Sequence, residues 1–177
     1  LRLKGKHQHQ NASLAVTAIK ALEKVSITEN DIQKGLENAF IAGRMEVINE
    51  KPLVIIDAAH NPAAAEVVHS AMKEITSEPI IWVWGMAEGK HHAEFAEALA
   101  PNVKKIYLCQ SKYRGVAPEE LMRVAEQHCT DWVIEKDVAS AVQRAIEEAS
   151  EKDVILVTGS VFVAGEARTN GKVKHSM

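Results

Sequence analysis

From residue 45 onward, short apolar runs recur near 45–49, 53–57, 80–84, 105–109, 132–134 and 153–158, and every run after the first is followed by a stretch of helical period. Those stretches lie near 62–76, 91–100, 118–128 and 137–149, with a last one starting at about Ser160. Repeated strand–helix units predict a parallel, doubly wound sheet, because parallel neighbours need a long crossover between them. The turn Asn49-Glu50-Lys51-Pro52 is too short for a crossover, so the first two runs are expected to form a hairpin. The expected fold is therefore α/β: a mixed, mostly parallel sheet of about six strands, flanked by helices, with one antiparallel edge strand.

Two helices are expected ahead of the sheet. One spans residues 8 to about 25, with Ala12, Ala15, Ile19 and Leu22 as its apolar stripe. The other runs from about Thr28 to Phe40, opens on a Thr28/Asp31 capping signal and is stopped at Ala42-Gly43.

The second run carries the strongest chemical signal. Val54-Ile55-Ile56 leads into Asp57, then Ala58-Ala59-His60-Asn61-Pro62, which reads as strand, turn and helix. Asn61 suits the N-cap because its side chain accepts an orphan backbone N–H, and Pro62 suits the first helical position because it has no N–H to satisfy. Ligands of open α/β sheets gather at such carboxyl ends, and Arg44 lies a short distance upstream. Together these residues have the geometry of a nucleotide site.

A chain of 177 residues with 46% hydrophobic and 25% charged residues has room for one good core. Its net charge of −3 offers no basic field for nucleic acid. No apolar run approaches the roughly 20 residues that cross a bilayer, so neither nucleic acid nor a membrane is an expected partner and the cytoplasm is the expected compartment. Cys109 and Cys129 form neither a disulfide framework nor a zinc motif. The pairs His7/His9 and His91/His92 share no helix face, and no metal site is expected within the chain.

Three motifs in order, Gly43-Arg44-Met45-Glu46-Val47, the stretch from Val54 to Val68, and Val157-Thr158-Gly159-Ser160 running to Arg168, resemble the C-terminal half of folylpolyglutamate synthase and dihydrofolate synthase, of the ATP-dependent Mur ligase superfamily. Upstream, Gly5-Lys6-His7-Gln8-His9-Gln10-Asn11-Ala12 is similar to that family's G-x-H-Q-x-x-N-A pattern. The resemblance spans nearly the whole chain. It implies a Rossmann-like C-terminal ligase domain over residues 43–177, preceded by residues 1–42 as the helical end of a central ATPase domain. It implies ATP and Mg2+ as cofactors, with metal ligands mainly on other domains, and a folate or dihydropteroate and L-glutamate as substrates. It further implies a monomeric enzyme of folate biosynthesis and one-carbon metabolism that joins glutamate to its acceptor through an acyl phosphate.

The resemblance also implies roles. Arg44 matches a catalytic and nucleotide-binding arginine, and a guanidinium suits a phosphoryl group because it keeps its proton and presents a planar fork of donors. Asp57 matches a nucleotide-contacting aspartate, expected near the ribose; Asn11 matches an adenine-contacting asparagine; Ser160 lies on the glutamate side. His60 faces the same crevice, and Arg114 fits an arginine-then-proline pattern with Pro118 that meets an acidic substrate. Plainer readings stand beside these: Arg44 pairing with Glu46 or Glu50, Asp57 bracing its turn, Asn11 and Ser160 as helix caps, His60 as a turn brace, Arg114 as a cap on the sheet edge.

One loop departs from the family. Its acidic-basic-acidic tripeptide is replaced by Ala87-Glu88-Gly89-Lys90-His91-His92, of which Glu88 keeps part, on the substrate side. A phosphate loop needs Gly, four residues, then Gly-Lys-Ser/Thr; Gly85 to His91 has three spacers and a His where the hydroxyl belongs. The chain alone is therefore expected to be inactive. The alternatives are another Mur-type amide ligase domain and a non-catalytic α/β binding module.

Overall fold

The computed structural model describes residues 1–3, 5–22 and 26–170. Its sheet contains β1 (Glu46–Glu50), β2 (Leu53–Ile56), β3 (Ile80–Trp84), β4 (Val103–Leu108), β5 (Trp132–Ile134) and β6 (Val154–Thr158). The order across the sheet is β1-β2-β6-β3-β4-β5. β1 and β2 form the expected antiparallel hairpin, and all other pairings are parallel.

β6 inserts between β2 and β3, with Ile155 opposite both Val54 and Ile81. Every residue of β3 and β6 is buried, as strands covered on both faces require. On one face, Ile55, Trp82, Trp84, Ile106, Leu108 and Leu156 pack under α3 (Pro62–Ile75), α4 (His92–Leu99) and α5 (Pro118–Ala125). On the other, Val54, Ile56, Val83, Tyr107, Ile155 and Val157 pack under α6 (Val138–Glu148) and α7 (Val161–Asn170). The period of two along each strand thus supplies two cores from one sheet. Trp82 and Trp84 lie on the same face and stack with centroids 4.6 Å apart.

The two preceding helices are α1 (Lys6–Lys20) and α2 (Glu29–Asn38), both shorter than their sequence pattern suggests. α1 closes where the Ala21 and Leu22 N–H groups turn back onto Thr17 and Ile19 carbonyls; residues 23–25, which the longer helix would include, lie outside the described residues. α2 opens with the expected capping box, Thr28 N donating to Asp31 at 3.0 Å and Asp31 N to Thr28 at 3.2 Å. It ends before Ala42-Gly43 because Ala39 is extended, at ψ 124°, and the Asn38 amide takes the Lys34 carbonyl at 2.8 Å.

Among the described residues neither helix contributes to the two cores. The α1 stripe instead shares an apolar groove with Ile32 and Leu36 of α2, while Leu14 and Leu22 remain exposed. Contact with the sheet unit includes the start of α1, where Gln8 is buried and Lys6 pairs with Glu74 of α3 at 3.1 Å, and the Phe40 ring, which lies against Arg168 of α7.

Candidate functional site

The carboxyl end of β2 builds the first part of the site. Asp57 is buried, and its two carboxylate oxygens accept the Met45 N–H at 2.9 Å and the Ala59 N–H at 2.8 Å. Burial pushes its pKa up, against the lowering effect of those two amides and of the Arg44 and His7 charges. Asp57 therefore ties the entry of β1 to the turn after β2, and the Ala58 N–H adds a 2.8 Å bond to the Gly43 carbonyl. Asn61 and Pro62 occupy the expected capping positions, with Asn61 accepting the Ala64 N–H at 2.9 Å. His60 Nδ1 lies 3.0 Å from the Ala58 carbonyl, which only accepts, so Nδ1 carries the proton and Nε2 is the free acceptor of the neutral ring.

Three more strand ends complete a cleft of about 390 Å3. After β6, Gly159 has φ +118°, and a Cβ there would sit 2.3 Å from the Gly85 carbonyl oxygen, so only glycine lets the β6 and β3 turns approach. Ser160 is buried and accepts the Phe162 N–H at 3.1 Å, which makes it the cap of α7. The loops after β3 and β4 are joined by a bridge between Ala87 and Gly115, with Glu88 N–H donating to the Arg114 carbonyl at 3.1 Å and Val116 N–H to Met86 at 3.0 Å. Arg114 is held at φ +53°, a left-handed conformation unfavourable to a side chain.

His60, Glu88, Lys90, Arg114, Ser160 and Phe162 all line this cleft. Two permanent cations against one carboxylate, beside the N-terminus of α7, suit an anionic group. Lys90 was visible in the sequence within the rejected phosphate-loop decoy and the divergent substrate-side loop, with no role of its own. Phe162, the second residue of α7, lay within a motif of the resemblance but was given no role, since an early helical aromatic reads as core.

Arg44 occupies a separate groove of about 560 Å3, shared with Arg2, Phe40, Glu46 and Arg168. It is exposed and forms no ion pair among the described residues; the pairing with Glu46 weighed from sequence is replaced by Arg168 to Glu46 at 2.8 Å. Asn11 lies on α1, exposed, with its amide donating to Gln8 at 3.2 Å, and lines neither cavity. The structure thus joins His60, Arg114 and Ser160, sets Arg44 in a neighbouring groove, and leaves Asn11 on the preceding helix.

An exposed guanidinium beside a second one fits a nucleotide phosphate. The chain does not fit a metal in the same way: among the described residues no three His, Cys, Asp or Glu side chains cluster, and the Asp57 carboxylate is engaged by backbone amides. Cys109 is fully buried, which pushes its thiol pKa far up, and Cys129 is also buried, so both serve packing. No described helix is long and apolar enough to cross a membrane.

Known proteins resemble this chain in sequence and fold. The family described as "Mur ligase, glutamate ligase domain" matches residues 43–161. A probable bifunctional folylpolyglutamate synthase/dihydropteroate synthase of Haloferax volcanii is 36% identical over 170 residues, covering 94% of this chain and 20% of that protein. The dihydrofolate synthase/folylpolyglutamate synthase of Escherichia coli is 32% identical over 152 residues, covering 85% of this chain and 35% of its own length. Escherichia coli FolC, solved in complex with DHPP and ADP, superposes with a TM-score of 0.84 at 29% identity, over 96% of this chain and 39% of that one. The chain therefore spans between a fifth and two fifths of the proteins it matches. With the family match running from the Gly43 turn to the start of α7, the chain belongs to the Mur ligase glutamate ligase domain family.

Proposed function

We propose that this chain is the C-terminal part of an ATP-dependent ligase that adds L-glutamate to a folate, as folylpolyglutamate synthase, dihydrofolate synthase or both. Residues 1–42 are then the helical end of the central ATP-binding domain and residues 43–177 the ligase domain. The observation that carries the reading is the convergence of His60, Arg114 and Ser160 on one cationic cleft at the carboxyl ends of the strands, in a chain similar to folate–glutamate ligases over most of its length. The start of the family match at Gly43 and the absence of α1 and α2 from both cores support the boundary.

ATP supplies the phosphoryl group that activates the acceptor carboxylate as an acyl phosphate, from which the glutamate amine displaces phosphate with loss of a proton. Arg44 stays charged at any working pH and presents its fork of donors to the transferring group. Asp57 fixes the backbone that carries Arg44, through the Met45 amide on its C-terminal side. Arg114 and the α7 N-terminus hold carboxylate groups of the incoming amino acid. His60 offers Nε2 as an acceptor at the edge of that cleft. Asn11 donates and accepts towards the adenine edge from the preceding unit. Metal ligands and the phosphate loop belong to other parts of the ligase, since the 177 residues contain no Gly-x4-Gly-Lys-Ser/Thr sequence. The enzyme works as a monomer in the cytoplasm, where ATP and folates are at hand.

The test is phosphate release by the full-length parent with ATP, glutamate and either tetrahydrofolate or dihydropteroate. Release that depends on one or both acceptors supports the reading and identifies the branch. A folded parent that is silent with both acceptors overturns it in favour of another Mur-type amide ligase.

A further inference from the structure

We propose that Phe40 is a latch that fixes the angle between the α1–α2 unit and the sheet unit by holding two guanidinium groups against its ring, one from each side of the Gly43 hinge. The Arg2 guanidinium carbon lies 5.4 Å from the centre of the Phe40 ring and that of Arg168, on α7, lies 5.7 Å from it. Arg2 and Phe40 precede the hinge; Arg168 belongs to the sheet unit. The ring therefore connects parts of the chain that share no core.

The far side of the latch is anchored to the hinge itself. Arg168 Nε donates to both Glu46 oxygens, at 2.8 and 3.2 Å, and Glu46 accepts the Gly43 N–H at 2.9 Å. Gly43 and Met45 both have positive φ, at +67° and +45°, so the segment between Phe40 and β1 holds a tight, specified path. A glycine backbone pinned by a carboxylate that is itself pinned by the latch arginine makes hinge geometry and ring seating one coupled arrangement. Arg44 lines the same groove, so the state of the latch decides where its guanidinium is presented.

Each exposed guanidinium–ring contact favours the seated state about two- to fivefold, and the pair about tenfold. That is enough to select one arrangement and weak enough to release. Phe40 remains 47% exposed, so its removal leaves both cores intact.

The inference rests on the two-unit reading above, but its test measures distance and not turnover, so a silent ligase assay and a failed latch are separate outcomes. Nitroxides are placed at Lys34→Cys on α2 and Gln143→Cys on α6 of the whole chain, in a Cys129→Ala background, and the distance distribution is read by pulsed electron resonance. The expected result is one narrow distance for the parent, a broadened distribution about tenfold richer in other distances for Phe40→Leu and about two- to fivefold richer for Arg168→Gln, and a retained narrow peak for Phe40→Trp. Arg2→Gln, which removes one contact, gives an enrichment of about two- to fivefold should Phe40→Leu melt early. An unchanged narrow distribution in Phe40→Leu and Arg2→Gln, or a distribution already broad in the parent, overturns the latch.

Discussion

Asp57 accepts the backbone N–H of Met45 at 2.9 Å, across a gap of 12 residues, and Met45 is a buried side chain at φ +45°. A methionine in the left-handed region costs on the order of 1 kcal/mol or more and persists only where its surroundings over-determine it. The carboxylate supplies that determination, and places Arg44 between a glycine and a pinned amide. These bonds are the bracing role weighed for Asp57 from sequence, and through them the buried acid holds the backbone on which Arg44 is carried.

Replacing Asp57 tests this with a pH signature. Asp57→Asn retains one acceptor and leaves a buried backbone N–H without one, a cost of about 1–3 kcal/mol. Burial raises the pKa of Asp57 in the folded state, so its stabilising contribution is full below the unfolded value of 3.8 and declines as pH rises through the folded value. The penalty of Asp57→Asn, from urea denaturation, is expected to be larger near pH 3.5 than at pH 7. A penalty that grows with pH contradicts this environment.

Arg44→Ala is expected to separate catalysis from folding. The side chain is exposed and unpaired among the described residues, so the melting free energy should move by no more than about 0.5 kcal/mol. Loss of a fixed charge at a transferring phosphoryl group is expected to lower kcat of the full-length ligase by about 100-fold or more. Unchanged kcat at an unchanged melting temperature removes Arg44 from the mechanism.

Gly159→Ala should be among the most damaging single-methyl changes in the chain. The added carbon meets the Gly85 carbonyl at 2.3 Å and the Trp84 ring at 2.9 Å, and φ +118° disfavours any side chain. A loss of about 3 kcal/mol or more is expected in chemical denaturation. Gly165→Ala, with nothing within 4 Å of the new carbon, is the control and should be neutral or stabilising.

An opposite pH dependence should reside on the far face. Glu148 accepts from Lys105 at 2.8 Å, Tyr107 at 2.6 Å and Arg144 at 2.7 Å, and these bonds lower its pKa to about 2. Its folded value is depressed, so its contribution is present above the unfolded value of 4.5 and is lost as pH falls towards 2. Tyr107, pushed up to about 12 chiefly by burial, contributes below 10 and loses that contribution as pH rises through 12. Glu148→Gln is expected to flatten the acid limb of the stability profile by lowering stability at pH 7 and pH 9 while leaving it little changed near pH 2; an unaltered acid limb would show that solvent screens the cluster.

The order of elements was legible because one period of two and one period of 3.6 alternate cleanly from β2 onward, and because Pro52, Asn61 and Pro62 punctuate the chain by mechanisms that hold in isolation. Long-range placement was less legible. Strand order depends on β6 returning to the centre of the sheet, a matter of burial between β2 and β3 that no local pattern encodes. His60, Arg114 and Ser160 were legible as residues at strand ends, and their union in one cleft follows from that order. Lys90 and Phe162 were not, because a loop lysine and an early helical aromatic carry no local signature of a site. The pairing of Glu46 with Arg168, in place of Arg44, joins two ends of the chain and has no trace in either neighbourhood.

Arg114 offers the sharpest separation of strain from function. Its backbone sits at φ +53°, held by the Glu88 amide on its carbonyl and by the neighbouring Gly115, whose added Cβ would fall 2.5 Å from the Ser111 carbonyl oxygen. A glycine at position 114 adopts that conformation freely, so Arg114→Gly is expected to hold or raise stability by up to about 1 kcal/mol despite its looser unfolded chain. The same substitution removes a cation from the cleft and should raise the KM for glutamate in the full-length ligase about tenfold, at similar KM for ATP. Arg114→Lys keeps the charge without the fork and should fall between the two. A strained residue whose removal stabilises the fold and weakens one substrate alone is maintained for binding; if Arg114→Gly instead lowers stability and leaves the KM for glutamate untouched, the strain serves the loop bridge and the cleft cation is Lys90.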